Sequence, residues 1–341
     1  MNIVEINPKL KVAILRLLRD SSHPVGSSII TTELQAFGFD LSPRTVRLYL
    51  EEMERDGLVK NAKRGRSGGR EITSQGINEI HDANVNFRIG FMAAKVDDLS
   101  YQVTFDPNTG SGLIVMNISI IDRVNLPAAV RHMIPVFEAN VGMGRLAYLT
   151  HEGEMLGEFI IPPGKVGIGT VCSVTLNGIL LSARIPTVSL FGGVLEMNKG
   201  NPVRFTDVIY YNGTSLDPLE IFIKGKLTSV REVARSGLGR IGASFREIPS
   251  SAISKVKSIR DQLDQMGLGG ILLLGKPNQS LLEFPVEEGR TGIIVAGGLN
   301  PTSAIEEVGI PTEHRALSSL IEYQKLFHFK ELAARVEREE Y

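Results

Sequence analysis

Cysteine and tryptophan are almost missing from this chain of 341 residues, which contains one cysteine and no tryptophan. Because Cys172 stands alone, an intrachain disulfide and a cysteine-rich metal site are both excluded. No apolar run reaches the ~18 residues that a membrane helix needs. The first residues, MNIVEINPKLK, lack the pattern of a signal peptide. We therefore expect a soluble, cytoplasmic protein without membrane association.

The chain also lacks an excess of either charge, since 37 basic side chains stand against 38 acidic ones. Their distribution is uneven, because residues 1–72 carry 12 basic and 9 acidic side chains while the remainder is acidic on balance. Apolar residues make up 43% and charged residues 22%, which is typical of an ordered globular protein. The N-terminal region is thus the better candidate for contact with an anionic partner.

Three short helices are predicted in this N-terminal region, over residues 8–20, 27–37 and 43–56. In the third, Ser42 is placed to cap the helix, Pro43 fits its first position and Gly57 ends it. One face is apolar and should pack on the other two helices. The opposite face carries Arg44, Thr45, Arg47, Leu48 and Glu51. A short helix that presents basic residues at its start suits the major groove of DNA.

A basic hairpin follows the third helix. Two strand-like pieces, 58–61 and 70–73, flank a loop with three glycines and the basic residues Lys63, Arg64 and Arg66. Such a tip can lie along phosphates or enter a minor groove. Thr73 is then placed to cap a helix that reaches His81. We predict a winged helix-turn-helix over residues 1–82, with DNA contacts from Arg44, Thr45, Arg47, Lys63, Arg64 and Arg66.

The rest of the chain has the pattern of a mixed α/β domain, over 83–325, followed by a helical tail over 326–341. A buried strand is expected in FRIGFMAAKV, from residue 87. Further strands are predicted at 113–121, 157–161, 187–197, 202–210, 239–246, 270–275 and 292–297. Helices are predicted at 126–140, 176–184, 228–236, 250–266, 301–308 and 316–322.

This larger domain contains an internal duplication. Residues 158–187 align without a gap with 283–312, and eight of the thirty positions are identical, including the final Ile-Pro-Thr. FRIG near 87 and GRIG near 239 are taken as the starts of the two halves, about 87–187 and 239–312. Both copies run from a strand through small residues into a helix, with Thr175 and Asn300 at the capping position.

Two related helix starts facing one cleft would favour an anion. We therefore expect a small anionic effector to be bound by Thr170, Cys172, Ser173, Thr175, Asn177, Gly297, Gly298 and Asn300. The alternative is that these small residues only allow close packing of strand and helix. Arg184, Arg246 or Arg290 could neutralise a carboxylate, and the spacing does not select among them.

No catalytic pattern is found. GKVGIGT lacks the full phosphate-loop spacing, GIGTVC lacks the third glycine of a dinucleotide turn, and the six histidines do not cluster. Cys172 has no histidine beside it and is expected to be a buried, inert thiol. We expect no enzyme activity, no cofactor and no metal.

Four stretches of the larger domain resemble the NrpR family of nitrogen-regulatory repressors. They are VGIGTVCSVTLNGILL (166–181), GTSLDPLEIF (213–222), ASFREIP (243–249) and EGRTGIIVAGGLNP (288–301). The resemblance covers nearly the whole chain. It implies a homodimeric or higher repressor that binds palindromic operators of nitrogen-assimilation genes and releases them when 2-oxoglutarate binds. Some relatives carry two effector domains in tandem, whereas this chain has one.

The resulting prediction is a dimer whose effector domains set the spacing of two winged helices, with half-sites about 34 Å apart. Three alternatives remain open at this stage: a regulator of other genes that responds to a different small anion, an enzyme, and an RNA-binding module.

Overall fold

The structure is a computed structural model that describes residues 8–21, 23–36, 38–62, 69–77, 79–80, 91–156 and 159–339. Contacts within the chain divide it into two compact units, Met1–Ile89 and Gly90–Tyr341.

The described part of the smaller unit includes three helices followed by a β-hairpin. These are α1 (Pro8–Asp20), α2 (Ser27–Ala36), α3 (Pro43–Arg55) and the antiparallel strands β1 (Val59–Asn61) and β2 (Arg70–Ile72). Their apolar faces meet in one core, which includes the fully buried Ile14, Ile30 and Met53. This is the predicted winged-helix arrangement.

Capping residues set the ends of these elements as predicted. Gly38 and Gly57 have φ angles of 81° and 73°, which glycine adopts at little cost. Thr73 accepts a hydrogen bond from the N–H of Gly76 at 3.0 Å and so caps the helix that starts at residue 74. The predicted last residues of two helices, Phe37 and His81, lie outside the described residues.

The larger unit is a mixed α/β structure. Its strands are β3 (Leu113–Asp122), β4 (Leu146–His151), β5 (Met155–Leu156), β6 (Phe159–Ile160), β7 (Lys165–Val171), β8 (Val188–Asn198), β9 (Asn201–Tyr210), β10 (Gly239–Pro249), β11 (Ile271–Leu274), β12 (Arg290–Ala296), β13 (Glu313–Glu322) and β14 (Phe327–His328). Its helices are α4 (Phe91–Gln102), α5 (Leu126–Glu138), α6 (Val174–Ser182), α7 (Pro218–Lys224), α8 (Val230–Ser236), α9 (Ile253–Gln265), α10 (Asn300–Glu307) and α11 (Leu332–Glu339).

Most strands belong to two five-stranded sheets in which all neighbours are antiparallel. One sheet has the order β13-β3-β7-β4-β14 and the other has the order β11-β12-β10-β8-β9. Residues of both sheets, such as Ile118 and Val295, belong to one continuous core cluster. The two sheets are therefore parts of one folded body rather than separate domains.

The order of elements agrees with an internal duplication. The first half runs β3, α5, β4, β7, α6, β8, and the second runs β10, α9, β11, β12, α10, β13. Strands β7 and β12 lie 125 residues apart, as the alignment predicts. The last strand of each half is exchanged, because β8 pairs with β10 and β13 pairs with β3. Each half therefore completes the sheet of the other.

Several predicted elements need correction. The first half begins at Leu113 rather than near residue 87, and both halves extend by one more strand, to Asn198 and Glu322. Residues 87–90 lie outside the described residues, and the expected strand beyond them is helix α4. Its buried residues Met92 and Val96 recur at helical spacing, a pattern hidden by the apolar run before it.

The remaining differences concern short elements. Residues 316–322, predicted as a helix, belong to β13, where Ser319 pairs with Met116. Of the predicted strand 157–161, residues 159–160 form β6, which pairs with β5 in a small hairpin, and residues 157–158 lie outside the described residues. Strand β4 and helix α7 have no predicted counterpart. The tail is only partly helical, because β14 pairs with β4 before α11 begins.

Candidate DNA-recognition helix and effector cavity

Helix α3 presents its N-terminal residues to solvent. The Ser42 side chain accepts a hydrogen bond from the N–H of Thr45 at 3.1 Å, and Pro43 occupies the first turn. Val46 is fully buried in the core of the smaller unit, as are Leu50 and Met53 further along. The sequence therefore fixes both the start of the helix and the face that is turned outward.

The two arginines near the start of α3 are free for an external partner. Arg44 and Arg47 are both exposed, and within the described ranges no carboxylate lies within 4 Å of either guanidinium. Thr45 is half-buried, and its hydroxyl is hydrogen-bonded to that of Ser42 at 2.8 Å. Arg44 and Arg47 thus have the placement expected for DNA contacts, while Thr45 is partly engaged in the cap.

Ion pairs join the two strands of the hairpin to each other and to α3. Arg70 contacts Glu54 of α3 at 2.8 Å, and Lys60 contacts Glu71 at 3.3 Å. These two basic residues at the ends of the wing are therefore engaged inside the unit. The predicted tip residues Lys63, Arg64 and Arg66 lie outside the described residues.

In the larger unit, the two strand-to-helix turns that the duplication predicts lie against each other. A Cβ atom built on Gly298 would lie 2.2 Å from the carbonyl oxygen of Val171 and 3.2 Å from Cα of Cys172. The turn before α10 is thus packed directly on the turn before α6. The predicted proximity of these turns is therefore correct, but the turns contact each other and do not face an open cleft.

Thr175 and Asn300 do not cap their helices. The hydroxyl of Thr175 accepts from the N–H of Val115 at 3.0 Å and donates to its carbonyl at 3.1 Å. The amide of Asn300 bonds both backbone groups of Gly242 in the same way, at 2.9 Å each. Val115 and Gly242 are equivalent positions of β3 and β10. Beyond the ends of β7 and β12, the side chains of both predicted ligands therefore form the hydrogen bonds to the neighbouring strand that a further strand residue would form. This is a structural role.

Thr175→Val tests that role. The variant keeps the shape of the side chain but leaves the buried N–H of Val115 without its partner, so we expect a loss of about 1–3 kcal/mol in the free energy of unfolding. Urea denaturation measures it, and Thr175→Ser, which retains the hydroxyl, serves as the control. If Thr175→Val is as stable as the wild type but loses effector binding, Thr175 is a ligand and our structural reading is wrong.

A small cavity of about 20 Å³ adjoins the two turns, large enough for about one water molecule. Three of the predicted effector residues, Cys172, Ser173 and Gly298, line it. The other lining residues are Val96, Asn117, Val174, Tyr211, Asp217, Leu219, Leu299, Ala316 and Leu317. Burial raises the pKa of the Cys172 thiol to about 11, so the thiol stays neutral, as predicted for an inert cysteine.

The remaining predicted residues lie around the cavity without lining it. Thr170 is buried with an unpartnered hydroxyl. Gly297 packs against Leu219, and its N–H donates to the carbonyl of Gly242 at 2.8 Å. Asn177 donates to the Ser189 hydroxyl at 2.9 Å.

Of the three predicted arginines, Arg246 is the one that forms hydrogen bonds with predicted effector residues. It is 2% exposed, and it donates to the carbonyl oxygen of Ser173 at 2.8 Å, to the Ser173 hydroxyl at 2.7 Å and to the amide oxygen of Asn177. Its Nε atom is buried without a hydrogen-bond partner. In the part of the chain described, no carboxylate lies within 4 Å of it. Burial lowers the pKa of Arg246. A buried guanidinium without a carboxylate favours an anionic ligand.

The other two arginines are placed differently. Arg184 is exposed at the end of α6. Arg290 is half-buried on β12, and its Nη1 atom has no hydrogen-bond partner. Neither contacts a predicted effector residue through a hydrogen bond in the described structure. The geometry therefore selects Arg246 among the three.

Two carboxyl groups at the start of α7 have raised pKa values, and one of them, Asp217, lines the cavity. Burial raises the pKa of Asp217 to about 6, although its carboxylate accepts hydrogen bonds from the N–H groups of Glu220 and Leu219. Burial, together with the charge of Asp217, raises the pKa of Glu220 to about 7 against the opposing hydrogen bond from the N–H of Ala316. Lys95 of α4 attracts both carboxylates.

Asp217→Asn should change how stability depends on pH. The folded-state pKa of Asp217 lies above its unfolded value, so folding takes up a proton, and the associated stability is present below pH ~4 and lost as pH rises through about 6. Asparagine caps a helix as well as aspartate does. We therefore expect the stability advantage of the variant over the wild type to grow by on the order of 2 kcal/mol between pH 4.5 and pH 8.

Urea denaturation at both pH values measures this difference, with Asp97→Asn on the exposed face of α4 as the control. A wild-type profile in Asp217→Asn would show that Asp217 is not the group that titrates.

The sequence-based prediction missed Asn117, Tyr211 and Asp217. Two of them have sequence features that could have identified them. Asn117 is a polar residue in the middle of a largely apolar strand, and Asp217 precedes Pro218 in the pattern of a capping residue followed by proline at the first helical position. Tyr211 follows β9 and has no pattern that marks it.

Within the described ranges, no group of three His, Cys, Asp or Glu side chains could hold a metal ion. None of the described helices has the length and apolar character needed to cross a membrane.

Residues 89–328 match the family model described as NrpR regulatory domains NRD1 and 2. The chain belongs to the NrpR family. The N-terminal residues 12–80 match the Ribonuclease R winged-helix domain. The predicted fold class, a winged helix followed by a larger α/β NrpR domain, is confirmed.

Three similar proteins support the membership. The chain is 36% identical to Global nitrogen regulator NrpRI of Methanosarcina mazei, over 94% of this chain and 98% of that protein. It is 30% identical to Global nitrogen regulator NrpR of Methanococcus maripaludis over 92% of this chain, but it spans only 54% of that protein. The crystal structure of a nitrogen repressor-like protein from Methanococcus jannaschii is 27% identical with a TM-score of 0.59, covering 69% of this chain and 97% of that chain. These NrpR relatives are named as regulators, which confirms the prediction that the chain is not an enzyme.

Proposed function

We propose that this NrpR-family protein is a transcription regulator of nitrogen-assimilation genes, which represses them in the cytoplasm and releases DNA when 2-oxoglutarate binds. The observation that carries the proposal is the match to a curated nitrogen regulator along 98% of that protein's length, from winged helix to effector domain. The name of the related crystal structure, a nitrogen repressor-like protein, supports repression over activation.

DNA is read by the outward face of α3. Arg44 and Arg47 lie at the start of the helix with no carboxylate near them, where side chains of a recognition helix reach base edges and phosphates. Lys63, Arg64 and Arg66 of the wing add contacts to the phosphate backbone. A homodimer would place two such helices about 34 Å apart on a palindromic operator.

The effector is bound where the two turns meet. One carboxylate of 2-oxoglutarate pairs with Arg246 beside Ser173, at the start of α6, where the buried guanidinium and the helix dipole both favour an anion. The cavity of about 20 Å³ is too small for a dicarboxylate, so binding requires the surrounding elements to move. The ligand then prefers one arrangement of the unit over the other.

Helix α4 is the element best placed to carry this movement to the winged helix. Its Val96 lines the cavity, and its C-terminal end packs closely on α6, because a Cβ on Gly178 would lie 2.7 Å from the carbonyl oxygen of Ser100. Along the chain, α4 is the first described helix of the larger unit. An effector that displaces Val96 therefore displaces the start of the larger unit.

Footprinting on DNA upstream of nitrogen-assimilation genes, with and without 2-oxoglutarate, tests the proposal. We expect a protected palindrome that is released by millimolar 2-oxoglutarate and retained with succinate of the same charge. Absence of a protected palindrome contradicts DNA regulation, and protection indifferent to every dicarboxylate contradicts the effector.

RNA binding is a second candidate, because the winged helix matches that of a ribonuclease. A mobility-shift assay with matched duplex DNA and single-stranded RNA, at one salt concentration, separates the two. Tighter binding to RNA in this assay would overturn the DNA proposal.

A further inference from the structure

A second pocket, of about 260 Å³, is lined by residues of β8, β9 and β10 and of the segment before β12. Its wall contains four aromatic rings, those of Phe191, Tyr210, Phe245 and Phe284, and it shares no lining residue with the effector cavity. The ring centroids of Phe191 and Phe284 are 4.6 Å apart, and those of Phe191 and Tyr210 are 5.4 Å apart. Tyr210 is 47% exposed, so the pocket opens to solvent.

The carboxylate of Glu247 lines the same pocket and is 2% exposed. It accepts a hydrogen bond from the N–H of Glu287 at 3.2 Å. Over the described part of the chain, no Lys, Arg or His nitrogen lies within 4 Å of it. Arg290 is a near neighbour on β12, two residues from the Gly292 that pairs with Glu247, but it forms no ion pair with this carboxylate. A buried carboxylate without a cation is costly unless something else compensates for it.

In the first half of the duplication, the equivalent positions are occupied by ordinary core residues. The residues equivalent to Phe245, Glu247 and Val286 in the duplication are Ile118, Ile120 and Ile161. All three are buried, between 0% and 4% exposed. One copy of the same architecture is therefore filled with isoleucine, whereas the other holds an open aromatic pocket with an acid.

We propose that this pocket binds the ammonium group of a small alkylamine. An alkylammonium ion would be the cationic partner that the Glu247 carboxylate does not have within the protein. Its ammonium group and its alkyl chain both interact favourably with aromatic faces. Two neighbouring residues of β10 then bind ligands of opposite charge. Arg246 contacts α6 beside the proposed effector cavity, and Glu247 lines the aromatic pocket. The proposal does not depend on DNA binding or on 2-oxoglutarate.

Calorimetric titration of the full chain with n-butylammonium chloride at pH 7 tests it. We expect saturable binding of one ion per chain, and binding of the neutral isostere n-butanol that is at least tenfold weaker. In Glu247→Gln the affinity for n-butylammonium should fall at least tenfold. Glu288→Gln, which removes a charge from the exposed loop next to the pocket, should change it less than twofold.

Three results would overturn the proposal: no saturable binding by the wild type, equal affinity for butanol and butylammonium, or unchanged affinity in Glu247→Gln. The thermal midpoint of Glu247→Gln should be no lower than that of the wild type, because glutamine keeps the shape of the side chain and can still accept the hydrogen bond from the N–H of Glu287. If it does not fold, Phe284→Leu gives a second test on a half-exposed ring. This variant should bind n-butylammonium several-fold more weakly, and unchanged binding also contradicts the proposal.

Discussion

Replacing Arg44 and Arg47 together with alanine is expected to abolish specific DNA binding while leaving the fold intact. Both side chains are exposed at the start of α3, and no described carboxylate lies within 4 Å of them. A well-placed arginine contributes about 1–3 kcal/mol of discrimination. The double variant should therefore bind its operator about 10²- to 10⁴-fold more weakly in fluorescence anisotropy at constant salt.

The matched control for this loss is Arg55→Ala. Arg55 is also exposed on α3 but lies at its C-terminal end, far from the residues proposed to contact DNA. It should reduce affinity less than threefold, and all variants should keep the wild-type thermal midpoint because surface changes rarely alter stability by more than about 0.5 kcal/mol. Retained operator binding by the double variant would show that another element reads the DNA.

The winged helix was predictable because its signals are local. Ser42, Pro43 and Gly57 mark the two ends of α3 within fifteen residues, and the buried Val46 and Met53 set its orientation. Such signals do not depend on what the rest of the chain does. The repeat that aligns residues 158–187 with 283–312 is also a local signal in each copy, which is why it identified the strand, turn and helix beside the proposed effector cavity.

Strand exchange between the halves explains most of what the sequence did not reveal. Ser319 pairs with Met116, so the partner that makes β13 a strand lies about two hundred positions away in the chain. Local spacing alone favoured a helix there. The same non-local pairing places β8 beside β10. A prediction confined to each half therefore misses how the sheets are completed.

The roles of individual polar residues were also decided by distant partners. Thr175 and Asn300 stand at helix starts in the sequence, but their hydrogen bonds go to Val115 and Gly242 on neighbouring strands. Asp217 lies between the two halves, where no duplication points to it. The turns could thus be located from the sequence, whereas the cavity beside them required the fold.

Gly298→Ala should strongly destabilise the larger unit. The added methyl group would lie 2.2 Å from the carbonyl oxygen of Val171 and 2.5 Å from the amide nitrogen of Asn117. Neither atom can move freely, since one is backbone and Asn117 accepts a hydrogen bond from the N–H of Leu317. We expect a loss of about 3 kcal/mol in the free energy of unfolding, measured by urea denaturation.

The same variant should lose its response to 2-oxoglutarate, because the methyl group separates the two turns that meet at the effector cavity. Gly213→Ala is the matched control: nothing lies within 4 Å of its added methyl group, and its φ is not in the left-handed region. It should stay within about 1 kcal/mol of the wild type and keep the full response. If Gly298→Ala is as stable as Gly213→Ala, the two turns are not in contact. The effector site would then have to be sought elsewhere in the larger unit.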